Sequence, residues 1–186
     1  MMMKGCRFLD EKEIKKMLRN SDQVMKVFIL TGLYFGTRIN ESLKLTFKDF
    51  QGKSIQINSS KGSENISFDI PKKLKTEITK LKRYYEKRYP NYRLTDSTPV
   101  FLSRQTKRSL TRQQISLNLK VIQEKTGIEG KIGSHSFRKS FVNKIYEMTD
   151  RDLIQTKMYS RHKNLSNLEY YIKSSNETTL IKKLKW

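Results

Sequence analysis

A chain of 186 residues with 39 Lys and Arg against 18 Asp and Glu carries a formal charge of +21. Such an excess adds self-repulsion and contributes nothing to a core, so it points to a polyanionic partner, with nucleic acid first. A single cysteine excludes an internal disulfide, one cysteine with two histidines argues against zinc, and no segment has the apolar run of a membrane span or signal peptide. The expectation is a cytoplasmic protein, long enough for a core of its own, without metal or cofactor.

In chain order, Leu9-Asp10-Glu11-Lys12-Glu13-Ile14 reads as a helix start, with Asp10 as cap, Glu13 reaching back and Leu9 stapling onto Ile14. "QVMKVFILTGLYFG" is apolar most of the way round and predicts a buried helix ending near Gly36. "RINESLKL" follows as a short second piece. Between Thr46 and Pro71 the apolar period changes to two: "SIQIN" and "ISFDI" alternate on either side of the turn-rich "SSKGSEN", a β-hairpin. Pro71 then opens a helix whose apolar face is Leu74, Ile78 and Leu81. Residues 71–93 hold nine basic residues against two acidic ones. A loop is expected over 90–111, and further helices over 111–126, 135–148, 150–160 and 166–173. The fold class implied is α+β, mainly helical, with one small antiparallel hairpin.

Five stretches contain polar residues in unusual places. In "GTRINES", Arg38 follows an apolar helix, where an unpaired buried charge would be costly, and Glu41 three residues on can hold its guanidinium. Lys61 stands at the hairpin tip beside Gly62; it is either simply solvated or projected towards an anion. In "GSHSFRKSF", a cap at Ser134 would place His135 and Arg138 one above the other in the first helical turn. Two cations there oppose the macrodipole unless an anion docks. His162 and the adjacent Tyr170 and Tyr171 complete the set. Ser166 and Glu169 read as a capping box, which would staple Leu165 to Tyr170 and leave Tyr171 turned towards another face.

Arginine, lysine, H-x-x-R, a second histidine and a tyrosine, in that order, resemble the tyrosine recombinase (phage integrase) family. The resemblance runs from about Leu9 to the end, on "TRINES", Lys61, "HSFR", and His162 with Tyr171 nine residues later. It implies a catalytic domain in which Arg38, Arg138 and His162 hold a scissile phosphate of double-stranded DNA. Tyr171 would be the nucleophile, His135 would assist its proton, and Lys61 would protonate the leaving oxygen, with Glu41 in support. The excess of basic residues, among them Lys72, Lys73, Arg104, Lys107, Arg108, Arg112 and Arg161, is expected on DNA phosphates.

This sequence departs from the family pattern in two places. Arg161 stands where a glycine usually precedes the second histidine, and Asn167 and Leu168 occupy positions where small residues or threonine are common. The chain begins where the catalytic domain would, so one domain over 1–186 is expected, without the N-terminal core-binding domain that completes a clamp around DNA. A tail from about 172 holds Leu180, Ile181, Leu184 and Trp186, and either packs on its own domain or on a neighbouring protomer. The free chain is expected to be a monomer that assembles only on DNA. Two other readings stay open at this point: a type IB topoisomerase, which would relax plasmids without a recombination site, and a DNA-binding module that has lost activity.

Overall fold

The computed structural model describes residues 5–57, 66–162, 164–169 and 172. Lys61, Tyr170, Tyr171 and the tail from 173 lie outside the described residues. Eight helices and a two-stranded sheet are seen among those described. They are α1 (Glu11–Arg19), α2 (Gln23–Phe35), α3 (Ile39–Ser42), β1 (Ser54–Ile57), β2 (Ile66–Asp69), α4 (Lys72–Arg88), α5 (Arg112–Thr126), α6 (Ser134–Met148), α7 (Leu153–Ser160) and α8 (Leu165–Glu169), with one 3-10 turn at Phe47–Phe50.

Local chemistry sets most of these boundaries. The Glu13 N–H donates to Asp10 Oδ1 at 2.8 Å and the Asp10 N–H donates back to Glu13 Oε2 at 3.1 Å, the reciprocal box expected for α1. The expected staple residues Leu9 and Ile14 belong to one hydrophobic cluster, Leu9 deeply buried. Asp22 caps α2, accepting from the Met25 N–H at 2.8 Å. Ile55 pairs with Phe68 and Ile57 with Ile66 in an antiparallel register, and β1 buries Ile55 and Ile57 while exposing the alternate residues. Over the long loop after α4, Tyr85 donates to the Val100 carbonyl at 3.0 Å and accepts from the Leu102 N–H at 3.1 Å. Burial raises the phenol's pKa, so this buried tyrosine stays protonated and can do both.

Three starts differ from the sequence reading: α7 begins at Leu153 rather than at 150, after an Asp152 cap whose Oδ1 accepts from the Ile154 and Gln155 N–H groups. Gly133, not Ser134, occupies the N-cap of α6; its N–H donates to Ser136 Oγ at 3.3 Å, and Ser134 is the first helical residue. At α8 the helix begins at Leu165, one residue before the cap expected at Ser166, and Leu165 is 40% exposed. The staple that favoured Tyr171 over Tyr170 therefore loses its first member. Leu168 is the buried anchor instead, packed with Phe141 and Val142 of α6.

α2 is the axis of the molecule, with α4 on one side and α6 on the other. Apolar all round, it buries Val27, Phe28, Ile29, Leu30 and Phe35, as its sequence predicts. It ends at Gly36, whose φ of 56° is left-handed and whose missing Cβ matters as much. A Cβ there would lie 2.3 Å from Phe141 Cδ1. Gly36 thus lets the C-terminus of α2 press against α6. Gly127 has the same left-handed φ (58°) at the end of α5 with open space around it.

Gly36→Ala should therefore cost about 3 kcal/mol, backbone strain plus overpacking, while Gly127→Ala should cost only about 1 kcal/mol for the strain. Urea unfolding of the two variants side by side checks the difference.

A candidate anion-binding active site

The sharp exit from α2 puts Arg38 at the N-cap of α3. Glu41, three residues on, holds it twice: Arg38 Nη1 donates to Oε1 at 2.8 Å, and the Arg38 main-chain N–H donates to Oε2 at 2.8 Å. The Glu41 side chain is 1% exposed and that of Arg38 27%, so the carboxylate is buried while the guanidinium keeps contact with solvent. Sequence reasoning gave Glu41 this holding contact, and the geometry shows it.

Arg138 reaches the same place from the second turn of α6. It is 1% exposed, donates from Nη1 to the Gly36 carbonyl and from Nη2 to the Ser160 carbonyl at 2.7 Å. Those are buried carbonyls at the C-termini of α2 and α7, the negative ends of both helices, where a guanidinium is stabilised. Arg138 is thereby taken away from the positive end of α6, where the sequence reading had stacked it with His135. His135, the second residue of α6, keeps an exposed edge.

His162 follows the end of α7. Its Nδ1 lies 2.7 Å from Ser160 Oγ and its Nε2 3.4 Å from Arg138 Nη2. A guanidinium only donates, so Nε2 is the acceptor and Nδ1 carries the hydrogen, donated to Ser160. Burial, followed by the charges of Arg138, Arg38 and Arg161, pushes the His162 pKa down to about 3. The imidazole is neutral at neutral pH, consistent with this tautomer. Burial and the charges of Arg138, Arg38, Lys139 and Arg112 also lower the pKa of His135.

Arg161 occupies a different place from the one expected of it. It was grouped with phosphate-contacting residues, yet its side chain has no exposed surface and Nη2 donates inward to Glu41 Oε2 at 3.1 Å. The same nitrogen lies 3.3 Å from the Phe35 carbonyl and 3.4 Å from that of Gly36. Arg38, Glu41, Arg161, the Gly36 carbonyl, Arg138 and His162 therefore form one continuous network. Burial alone would raise the Glu41 pKa, but the charge of Arg161 and the hydrogen bonds and charge of Arg38 outweigh it and hold the carboxyl below 4.5.

Lys72, Lys73, Arg104, Arg108 and Arg112 are exposed, as DNA-contacting residues would be. Lys107 is partly committed: its Nζ sits 3.3 Å from the Tyr89 ring centroid and donates to the Arg104 carbonyl at 2.6 Å. Sequence reasoning missed Ser160 and the Gly36 carbonyl. Only the helix-end position of Gly36 pointed to the latter, since a left-handed cap turns its carbonyl away from the helix.

The fold is that of a known class. The sequence profile of the phage integrase family matches residues 7–178, and the chain belongs to that family of tyrosine recombinases. Among solved structures, the crystal structure of XerA recombinase is similar with a TM-score of 0.75 at 19% identity, over 96% of this chain and 66% of that one. A Tn1549 transposon integrase in complex with a circular intermediate DNA gives a TM-score of 0.73 at 14% identity, over 92% of this chain and 62% of that one. XerH site-specific recombinase, in a post-cleavage complex with palindromic difH substrate, gives 0.68 at 23% identity, over 89% and 49% respectively. The chain thus spans between half and two thirds of the length of these structures. No curated protein matches in sequence.

The histidine and carboxylate shifts set a pH dependence of stability. An unfolded His162 binds a proton near pH 6.5 that the folded site refuses until about 3, so its contribution is complete above 6.5 and declines as pH falls towards 3. The contribution of Glu41 is complete above 4.5 and is lost as pH falls through its depressed value. Stability should fall steadily from pH 7 to pH 4 in urea titrations, and His162→Gln should reduce the slope between 6.5 and 4.5, leaving the part that His135 contributes.

Proposed function

We propose that the protein breaks and rejoins DNA at specific sites through a covalent tyrosine intermediate. The observation that carries this reading is the single network joining Arg38 and Arg138, whose charges both act on His135 and His162. Two guanidiniums on the Glu41 carboxylate, with the Arg138 guanidinium joined to them through the Gly36 carbonyl, leave a surplus of positive charge in one network. A phosphate passing through a five-coordinate, doubly negative state is the species such a pocket favours. Recombinases and integrases of the same fold have been seen bound to DNA, which supports duplex DNA as the partner.

The chemistry balances with the residues of this chain. The Tyr171 oxygen attacks phosphorus and the bond from phosphorus to the 5′ oxygen breaks, leaving a 3′-phosphotyrosyl link and a free 5′-hydroxyl. The phenolic proton, with an ordinary pKa about 10, must leave as attack proceeds. His135 takes it, and its lowered pKa leaves the ring neutral and able to accept. Lys61 gives a proton to the departing oxygen. Arg38 and Arg138 bind the non-bridging oxygens, each guanidinium offering a planar fork. A phosphate between them also offsets the charges that depress His162, favouring the doubly protonated ring that could donate a third hydrogen bond. Reversal by a 5′-hydroxyl from another strand reseals DNA without ATP.

A nicked suicide duplex, drawn from a random-sequence pool by binding to the wild-type chain and scanned for nick position, tests this. A covalent adduct is expected with wild type and with Tyr170→Phe, and is expected to vanish with Tyr171→Phe. An adduct that survives Tyr171→Phe overturns the assignment, and relaxation of plasmid independent of site would move the function to a topoisomerase. Arg38→Ala should slow adduct formation by about 10²–10³-fold, the usual loss on removing one donor to a developing charge. Binding itself should weaken steeply with salt, and removing Arg104 or Arg108 should lower the slope of log affinity against log salt by about one each.

A further inference from the structure

We infer that Arg161 is a positioning residue that fixes Glu41, and through it the Arg38 guanidinium, in the geometry needed to receive the phosphate. The inference rests on the cleavage reading above, and concerns a position where the family pattern leads one to expect glycine. Arg161 has a φ of 57°, the left-handed conformation that glycine adopts without penalty and an arginine does not. Its side chain is nonetheless fully buried, and its Nε and Nη1 have no hydrogen-bond partner among the described residues. Its guanidinium carbon stands 6.0 Å from the Phe68 ring centroid. A strained, buried cation with two unbonded donor groups lowers stability where a well-packed apolar side chain would not. The position therefore works against the fold unless the one nitrogen that is bonded does something useful.

That nitrogen, Nη2, lies at a junction. It donates to Glu41 Oε2, and the Phe35 and Gly36 carbonyls are within reach. Without it, Oε2 retains only the Arg38 main-chain N–H, and the carboxylate is free to turn towards Arg38 and draw that guanidinium back from the pocket. With it, Glu41 is pinned between two guanidiniums and only Oε1 is presented to the Arg38 side chain. Because Arg161 also ties the end of α7 to the end of α2, it sets the backbone from which His162 departs. It touches no phosphate itself, having no exposed surface.

The full chain is compared with Arg161→Met and Arg161→Lys on the selected nicked duplex. Arg161→Met should slow covalent cleavage at saturating DNA by ten- to a hundredfold, the scale of a misplacement of about 1 Å. DNA affinity and its salt slope should stay within twofold, and Arg161→Lys should recover part of the rate. An unchanged rate, with or without a lower melting temperature, overturns the inference. So does weaker binding with a smaller salt slope at an unchanged saturated rate, which would make Arg161 a phosphate contact. Should Arg161→Met fail to fold, Arg161→Gln, which keeps a donor without the charge, replaces it with the same outcomes. If wild type itself forms no adduct, the cleavage reading fails, and the clamp is judged from the side-chain Nε NMR signal of Arg38, located with Arg38→Lys. That signal should broaden towards free arginine in Arg161→Met; a signal unchanged by the substitution overturns the clamp.

Discussion

A cluster of arginines must hold like charges close together. In this protein the Glu41 carboxylate makes that possible. It is almost wholly buried, it faces Arg38 and Arg161 with a different oxygen each, and its own desolvation cost is outweighed by their charges and hydrogen bonds. One negative charge between two guanidiniums lowers their repulsion without neutralising the pair. The excess of positive charge left over is what an anion would meet.

Backbone carbonyls carry the rest. Gly36 and Ser160 end α2 and α7, and their carbonyl oxygens receive Arg138. Two helix ends supply partial negative charge without adding a titratable group, which keeps the site positive at every physiological pH. The close contact between Gly36 and Phe141 then ties the pocket to the packing of α2 on α6. The hydrophobic core and the arginine cluster are consequently two sides of one joint.

Periodicity made the scaffold legible: the apolar α2, the alternating hairpin and the box at Asp10 all declared themselves through spacing and capping chemistry. The pairing of Arg38 with Glu41 was legible too, because a charge that follows an apolar helix demands a partner, whereas Arg138 and His162 were grouped with it only through the resemblance to tyrosine recombinases. Helix starts were less so. Gly133 rather than Ser134 caps α6 because the Ser136 hydroxyl reaches back to the Gly133 N–H, and a neighbouring serine gives the same local signal. Leu165 and Leu168 compete for the same burial, and tertiary packing against Phe141 and Val142 chose Leu168. The direction of Arg161 could not be read at all. Whether a long cationic side chain turns outward to solvent or inward to a carboxylate depends on partners distant in sequence, here 120 positions away.

The hydrogen-bonding state of His162 has a consequence for selectivity. With Nδ1 donating to Ser160 and Nε2 facing Arg138, the ring's acceptor is already turned to an internal donor. The ring sits in a closed circuit of internal contacts, which any anion must open before gaining the ring as a partner. A stray inorganic ion brings only its own few contacts to that exchange, whereas a phosphate embedded in a duplex arrives with every neighbouring backbone contact behind it. On the proposed reading, binding energy from far along a polymer would turn the ring, and the site would discriminate by the length of what enters as well as by its charge.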